Sequence, residues 1–224
     1  MSPQTWSPTD DEFTAVYGPW LHRTPADVRD LMAGYSGAWF IAGGWAIEAF
    51  TGVSRPHEDC DVSVLRSEVE EFRHFVRGRY DVWAAGSGAL KPVFADDPAS
   101  FDERAHEGSE QIWLRPAWNR PWEYDVLLAP GDANTWAYKR DPEITMPMSE
   151  ALWDQDGVPY LRPEIQLLYK ARGLRAKDRQ DFDVAWPMLD ASQRHWLHRM
   201  LQRTLPGHPW LSVAVGPEVQ YPPG

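Results

Sequence analysis

Asp59 and Asp61 stand one residue apart in HEDCDVSV, at the head of an apolar, β-branched run. In an extended strand alternate side chains share a face, so the two carboxylates project together while Cys60 and Val62 turn the other way. Adjacent carboxylates repel unless a cation sits between them or one takes up a proton. Oxygen-only ligands of this kind suit Mg²⁺, which keeps several waters and binds through one or two carboxylates plus substrate phosphates. A lone D-x-D is weak, because many such pairs lie on solvated faces. Asp59, Asp61, Ser63 and Glu70 also fall at positions 1, 3, 5 and 12 of a calcium loop, but position 6 needs glycine and holds Val64. His57 shares the parity of the acids, which leaves a His-Asp-Asp transition-metal site open beside its reading as a polar turn residue.

A third acid lies in WEYDVLLA, where Asp125 interrupts an apolar strand and costs energy unless it has a partner. Joined to the first pair it would complete a three-carboxylate site for metal-assisted phosphoryl or nucleotidyl transfer. Glu123 shares its strand face and competes for that role, and an ion pair to a neighbouring arginine is the structural alternative. Gly43 and Gly44 precede the acids. Lacking Cβ, they let the main chain approach an anion closely, and the helix start after them presents free N–H groups.

Positioning these groups requires an ordered set of elements. TPADVRDLMAGY predicts a helix with Thr24 as N-cap and Pro25 at its first position. AWFIAGG reads as a short buried strand stopped by the two glycines, WAIEAFTG as a short helix ending at Gly52, and CDVSVL as a strand. SEVEEFRHFVRGRY opens with a Ser67-x-x-Glu70 capping box and carries Val69, Phe72 and Val76 on one face. YDVWAA, QIWLR and WEYDVLLA are strands, and residues 86–110, rich in Gly, Asp, Pro and Ser, are expected to be mostly loop. Beyond residue 160 three helical patterns follow, then an extended tail from residue 207; residues 1–8 are expected to fray. The expectation is an α+β fold: a small mixed sheet flanked by helices over residues 1–150, and a C-terminal helical segment over 151–224.

The 224 residues carry 22 Lys+Arg against 33 Asp+Glu, a net charge of −11, which argues against a surface built to grip nucleic acid. Such a field favours neutral or cationic small partners. Thirteen tryptophans are unusual; core packing is one account of them, and several lining a pocket is the other. Cys60 is the lone cysteine, there is no membrane-length apolar run, and MSPQTWSPTDDEF lacks the features of a signal peptide, so a cytoplasmic protein is expected.

Strand, GGW, short helix, G-x-x-S-R-P-H-E-D-C-D and an apolar continuation together resemble the aminoglycoside and lincosamide nucleotidyltransferases of the DNA polymerase beta superfamily. Gly43, Gly44, Trp45, Ala46, Glu48, Gly52, Arg55, His57, Asp59 and Asp61 fit that pattern, densely over residues 39–64 and more sparsely over 122–128 and 162–183. The resemblance implies a polymerase-beta-like core whose C-terminal helices complete the nucleotide and acceptor cleft. It implies two Mg²⁺ ions on Asp59, Asp61 and Asp125, with Asp125 as third ligand or catalytic base. It further implies a nucleoside triphosphate, ATP in the leading reading, held by Gly43, Gly44, Arg55, Lys170 and Lys177, and a small hydroxylic acceptor such as an aminoglycoside. The superfamily also contains toxins that modify RNA or protein, and non-catalytic nucleotide-binding members.

Overall fold

The computed structural model describes residues 9–86, 88–94, 98–105 and 108–213. Its helices are α1 Asp10–Tyr17, α2 Pro25–Met32, α3 Gly43–Thr51, α4 Val69–Phe75, α5 Phe101–Arg104, α6 Met148–Ala151, α7 Pro163–Ala171, α8 Ala176–Ala185 and α9 Ala191–Thr204. Its strands are β1 Trp39–Ile41, β2 Val62–Leu65, β3 Asp81–Gly86, β4 Ala89–Pro92, β5 Gln111–Arg115, β6 Tyr124–Ala129, β7 Thr135–Tyr138, β8 Asp141–Pro147, β9 Leu152–Gln155 and β10 Val158–Leu161. Among the described residues, eight strands form one sheet in the order β4-β3-β5-β6-β2-β1-β10-β9, and β7 pairs with β8 apart from it. The β2/β6 and β1/β10 pairs are parallel and the other pairs antiparallel.

Side-chain parity splits the interior into two cores. Ile41, Val62, Val64, Ile112, Leu114, Val126 and Leu128 turn to the sheet face covered by Val28, Leu31 and Met32 of α2 and Val69 and Phe72 of α4. Phe40, Leu65 and Leu161 turn the opposite way and join Trp136, Tyr138, Ile165, Leu168, Phe182, Leu197 and Leu201 in a second core. Burying a large apolar side chain contributes about 1.5–3 kcal/mol, so each core holds its own layer of helices to the sheet.

The α+β fold, with its mixed sheet and C-terminal helices, follows the sequence expectation. Thr24 caps α2 through a box with Asp27, and Gly52 ends α3 in the left-handed conformation at φ 68°. Several local expectations are corrected. Gly43 and Gly44 do not stop a strand; they are the first two residues of α3. Ser67 caps nothing: Arg66–Glu68 form a 3-10 turn, and α4 begins at Val69 without a side-chain cap. The 86–110 stretch contains β4 and α5, the latter capped by Ser100 and Glu103. The β7–β8 hairpin and the β9–β10 hairpin were not anticipated, and β10 extends the main sheet by pairing with β1. Of the expected extended tail, Pro209–Ser212 form a 3-10 turn with Trp210 buried; residues 214–224, like 1–8, lie outside the described residues. Among the described residues no helix is long and apolar enough to cross a membrane.

Candidate active site

The parallel β2/β6 register pairs Val62 with Val126 and Ser63 with Leu127. Asp61 and Asp125 each precede that pairing by one residue, so they lie side by side on the face that also carries Ser63 and Leu127. The ladder starts at Val62, so Asp59 sits in the turn before the strand rather than on it, and it is exposed. That turn is held from three directions. Trp45 Nε1 donates to the Asp59 carbonyl at 3.0 Å, His22 Nδ1 to the Glu58 carbonyl at 2.8 Å, and Lys177 Nζ to Glu58 Oε2 at 2.9 Å.

Burial, with the charge of Asp59 adding to it, pushes the Asp61 carboxyl up to about 6. Lys170, Lys177 and Arg175 pull it the other way. Asp125 is pushed further, up to about 8, by burial and then by the charges of Asp61 and Asp59. Its Oδ2 accepts from Gln111 Nε2 at 3.0 Å, while Oδ1 is buried without a well-formed hydrogen bond, the Trp113 side chain beside the carboxyl only partly offsetting the upward shift. Glu123 is engaged elsewhere, accepting from Arg23 at 2.7 Å and from the Tyr80 hydroxyl at 3.1 Å. Asp125 is therefore the third acid that stands beside the pair. Among the described residues, no three His, Cys, Asp or Glu side chains are drawn into a ready metal cage.

The glycines make room. Gly43 has φ +69°, and a Cβ on it would lie 1.8 Å from Asp61 Oδ2. A Cβ on Gly44 would meet Arg55 Nη2 at 2.2 Å and His57 Nδ1 at 2.8 Å. Their smallness thus admits an acid and a guanidinium to the start of α3. Gly43 N–H is already used, donating to Gln166 Oε1 at 2.8 Å, while the N-cap residue, Ala42, has no side chain that could cap the helix. Beside this helix start opens a cleft of about 240 Å³ lined by Gly43, Asp61, Ser63, Trp136, Gln166 and Tyr169, with Lys139 and Arg140 at the turn of β7–β8.

The three expected phosphate cations are already paired. Arg55 grips Asp181 with Nε at 2.8 Å and Nη2 at 2.9 Å, and Lys170 Nζ reaches the same carboxylate at 2.7 Å. Lys170 and Asp181 are only 6% and 3% exposed, so this is a buried network; burial raises the Asp181 pKa, but its two cations hold it below the usual carboxylate range. Lys177 is bound to Glu58 as above. His57 is no free ligand either: Nε2 donates to Glu48 Oε2 at 2.7 Å, Nδ1 faces Arg55, and its ring stacks on Trp45 at 4.1 Å. Of these, Lys170 and Lys177 lower the Asp61 pKa by their charge, and Lys177 ties down the turn before β2 through Glu58.

Sequence reading missed Gln166, Asp181, Lys139 and Arg140. A glutamine inside the apolar face of PEIQLLYK and the second acid of KDRQDFD were available signals; the two cations needed the β7–β8 turn to be seen first. The tryptophans divide. Trp20, Trp83, Trp113 and Trp122 pack edge-on in one cluster, and the Arg115 guanidinium lies 4.6 Å from Trp83 and 4.3 Å from Trp122. Trp113 is the cross-strand partner of Asp125, so this cluster walls the acid on the β5 side.

No protein-family model matches the chain, and no curated protein matches it. Solved structures with a resembling fold include the following. The solution structure of the antibiotic-resistance factor ANT(2'')-Ia gives a TM-score of 0.46 at 15% identity, covering 80% of this chain and 89% of that one. The lincosamide antibiotic adenylyltransferase LnuA with lincomycin bound gives 0.45 at 15%, over 71% and 92%. ANT(2'')-Ia in complex with adenylyl-2''-tobramycin gives 0.48 at 14%, over 80% and 95%. At these values the likeness decides no activity, and the functional reading rests on the residues of the cleft.

Proposed function

We propose that this protein is a nucleotidyltransferase that moves a nucleoside monophosphate, AMP from ATP in the leading reading, to a hydroxyl of a small molecule, with aminoglycoside-type antibiotics as the acceptor class to test first. One observation carries the reading. Asp61 and Asp125 stand side by side, Asp61 against the glycine start of α3, with Asp125 Oδ1 buried and without a well-formed hydrogen bond.

The residues present fit Mg²⁺. The donors are carboxylate oxygens alone, one lacks a well-formed hydrogen bond, and burial with mutual repulsion raises two of the three acids. Asp59, Asp61 and Asp125 would hold the two ions that the sequence resemblance implies. Bound Mg²⁺ supplies charge neutralisation on the phosphates and orientation of the one under attack. Asp125 would take the proton of the acceptor hydroxyl at Oδ1. Gly43 and Gly44 bring main chain close to the acids, where first-turn N–H groups of α3 can face a phosphate. Reading the chain as a non-catalytic nucleotide-binding module would require a broken acid set, and Asp59, Asp61 and Asp125 are all present.

Pyrophosphate release from ATP, GTP, CTP and UTP, screened against aminoglycosides and lincosamides, tests the reading. Release by the wild type and none by Asp61→Asn supports it. Folded wild-type protein that releases none with any pair, or equal release by Asp61→Asn, overturns it.

A further inference from the structure

We propose that the turn of the β7–β8 hairpin, through Arg140 with Lys139 beside it, grips the polyphosphate of the bound nucleotide; the inference rests on the nucleotidyltransferase reading and replaces Arg55 and Lys170 in that role. Both hairpin cations line the same cleft as Asp61, Gly43 and Gln166.

What separates these cations from Arg55 and Lys170 is the strength of their present partners. Arg55 and Lys170 share a nearly dry carboxylate, and removing either from Asp181 would leave a buried charge uncompensated. Arg140 has no carboxylate partner among the described residues. Its Nη1 makes two long contacts, 3.4 Å each, to the Tyr138 hydroxyl and the Tyr169 carbonyl, and its guanidinium lies 5.6 Å from the Tyr169 ring. Lys139 pairs with Glu110 at 2.7 Å, but both side chains are open to water at 40% and 56% exposure. An exposed pair of this kind contributes little, so Lys139 can change partner at small cost.

The turn itself is anchored. Trp136 and Tyr138, each 1% exposed, sink into the second core on either side of Ala137, and the Lys139 N–H points to the Tyr169 hydroxyl on α7 at 3.5 Å. A fixed backbone thus presents two movable cations to the cleft. The opposite wall carries Asp61, which repels a bare polyphosphate. An anion entering here needs positive charge opposite that wall, and Arg140 and Lys139 supply it from the hairpin side of the cleft. A planar guanidinium suits two phosphate oxygens at once, whereas Lys139 supplies a point charge.

Calorimetric titration with Mg-ATP, Mg-tripolyphosphate and adenosine, on wild type, Arg140→Ala and Lys139→Ala, tests the inference. Arg140→Ala is expected to weaken both Mg-ATP and Mg-tripolyphosphate about tenfold or more, and Lys139→Ala less, with adenosine affinity unchanged. If Arg140→Ala melts well below wild type, Arg140→Gln, which keeps a donor but no charge, takes its place with the same expectation. Wild type that binds Mg-ATP while the variants bind it equally well overturns the hairpin role and leaves the nucleotide reading standing. Wild type that binds Mg-tripolyphosphate in an Arg140-dependent way but gains nothing from adenosine supports the anion site and counts against the nucleotide reading. Wild type that binds neither Mg-ATP nor Mg-tripolyphosphate overturns both.

Discussion

Replacing Asp125 by Asn should make the metal-free protein more stable while removing its activity. Asp125 is held at about 8 against an ordinary 3.8, because burial and the charges of Asp61 and Asp59 disfavour its ionised form. The sign follows directly. The folded chain keeps a proton that the unfolded chain releases, so stability falls as pH rises from about 4 towards 8 and levels off above that. The gap spans about four pKa units at about 1.4 kcal/mol each, an upper bound near 5 kcal/mol at pH 8. Relaxation and water entry should reduce the realised difference to about 2–3 kcal/mol. In a chain of this size about 1 kcal/mol moves the melting temperature by roughly 2–4 °C. Asparagine keeps the shape, and its carbonyl can still accept from Gln111 Nε2.

The assay is a thermal melt of wild type and Asp125→Asn in EDTA at several pH values from 4.5 to 8.5. Asp125→Asn should melt about 5–10 °C higher near pH 8, with the difference closing towards pH 4.5. Other titrating groups contribute to both proteins and largely cancel. Adding Mg²⁺ at pH 8 should raise the wild type and leave Asp125→Asn nearly unmoved. Equal or lower melting of Asp125→Asn across the whole range would refute the claim that the acids repel one another in a buried, metal-ready arrangement.

Other consequences are as direct. Asp61→Asn should lower pyrophosphate release roughly a thousandfold or more with the melt intact; near-normal turnover would remove Asp61 from the metal site. Gly43→Ala places a Cβ 1.8 Å from Asp61 Oδ2 at a positive φ, so it should cost about 1–3 kcal/mol in a melt and weaken Mg²⁺ binding by calorimetry. Asp181→Asn leaves Arg55 and Lys170 without their shared carboxylate and should cost about 3–5 kcal/mol by denaturant unfolding; a change under about 1 kcal/mol would show that the network is not structural.

The acids were legible in the sequence because their signal is local. An acid beside or within an apolar run depends on neighbours a few residues away, and Asp61 and Asp125 need only the short β2/β6 register to meet; strand parity failed for Asp59, which lies exposed before β2 begins. The glycines were half legible. Their lack of Cβ mattered as expected, but the groups they admit, the Asp61 carboxylate and the Arg55 guanidinium, arrive from beyond α3. The cations were the least legible, for a physical reason. Whether a lysine or arginine is free depends on which carboxylate it meets, and Arg55 meets Asp181 across 126 residues of sequence while Lys177 meets Glu58 across 119. A motif scan ranks cations by position in a pattern, but what a phosphate competes with is the ion pair already made. On that criterion the buried network around Asp181 ties α8 to α7 and to the segment after α3 that carries Arg55. The weakly paired Arg140 and Lys139, in a turn with no motif to flag it, are left to meet an incoming anion.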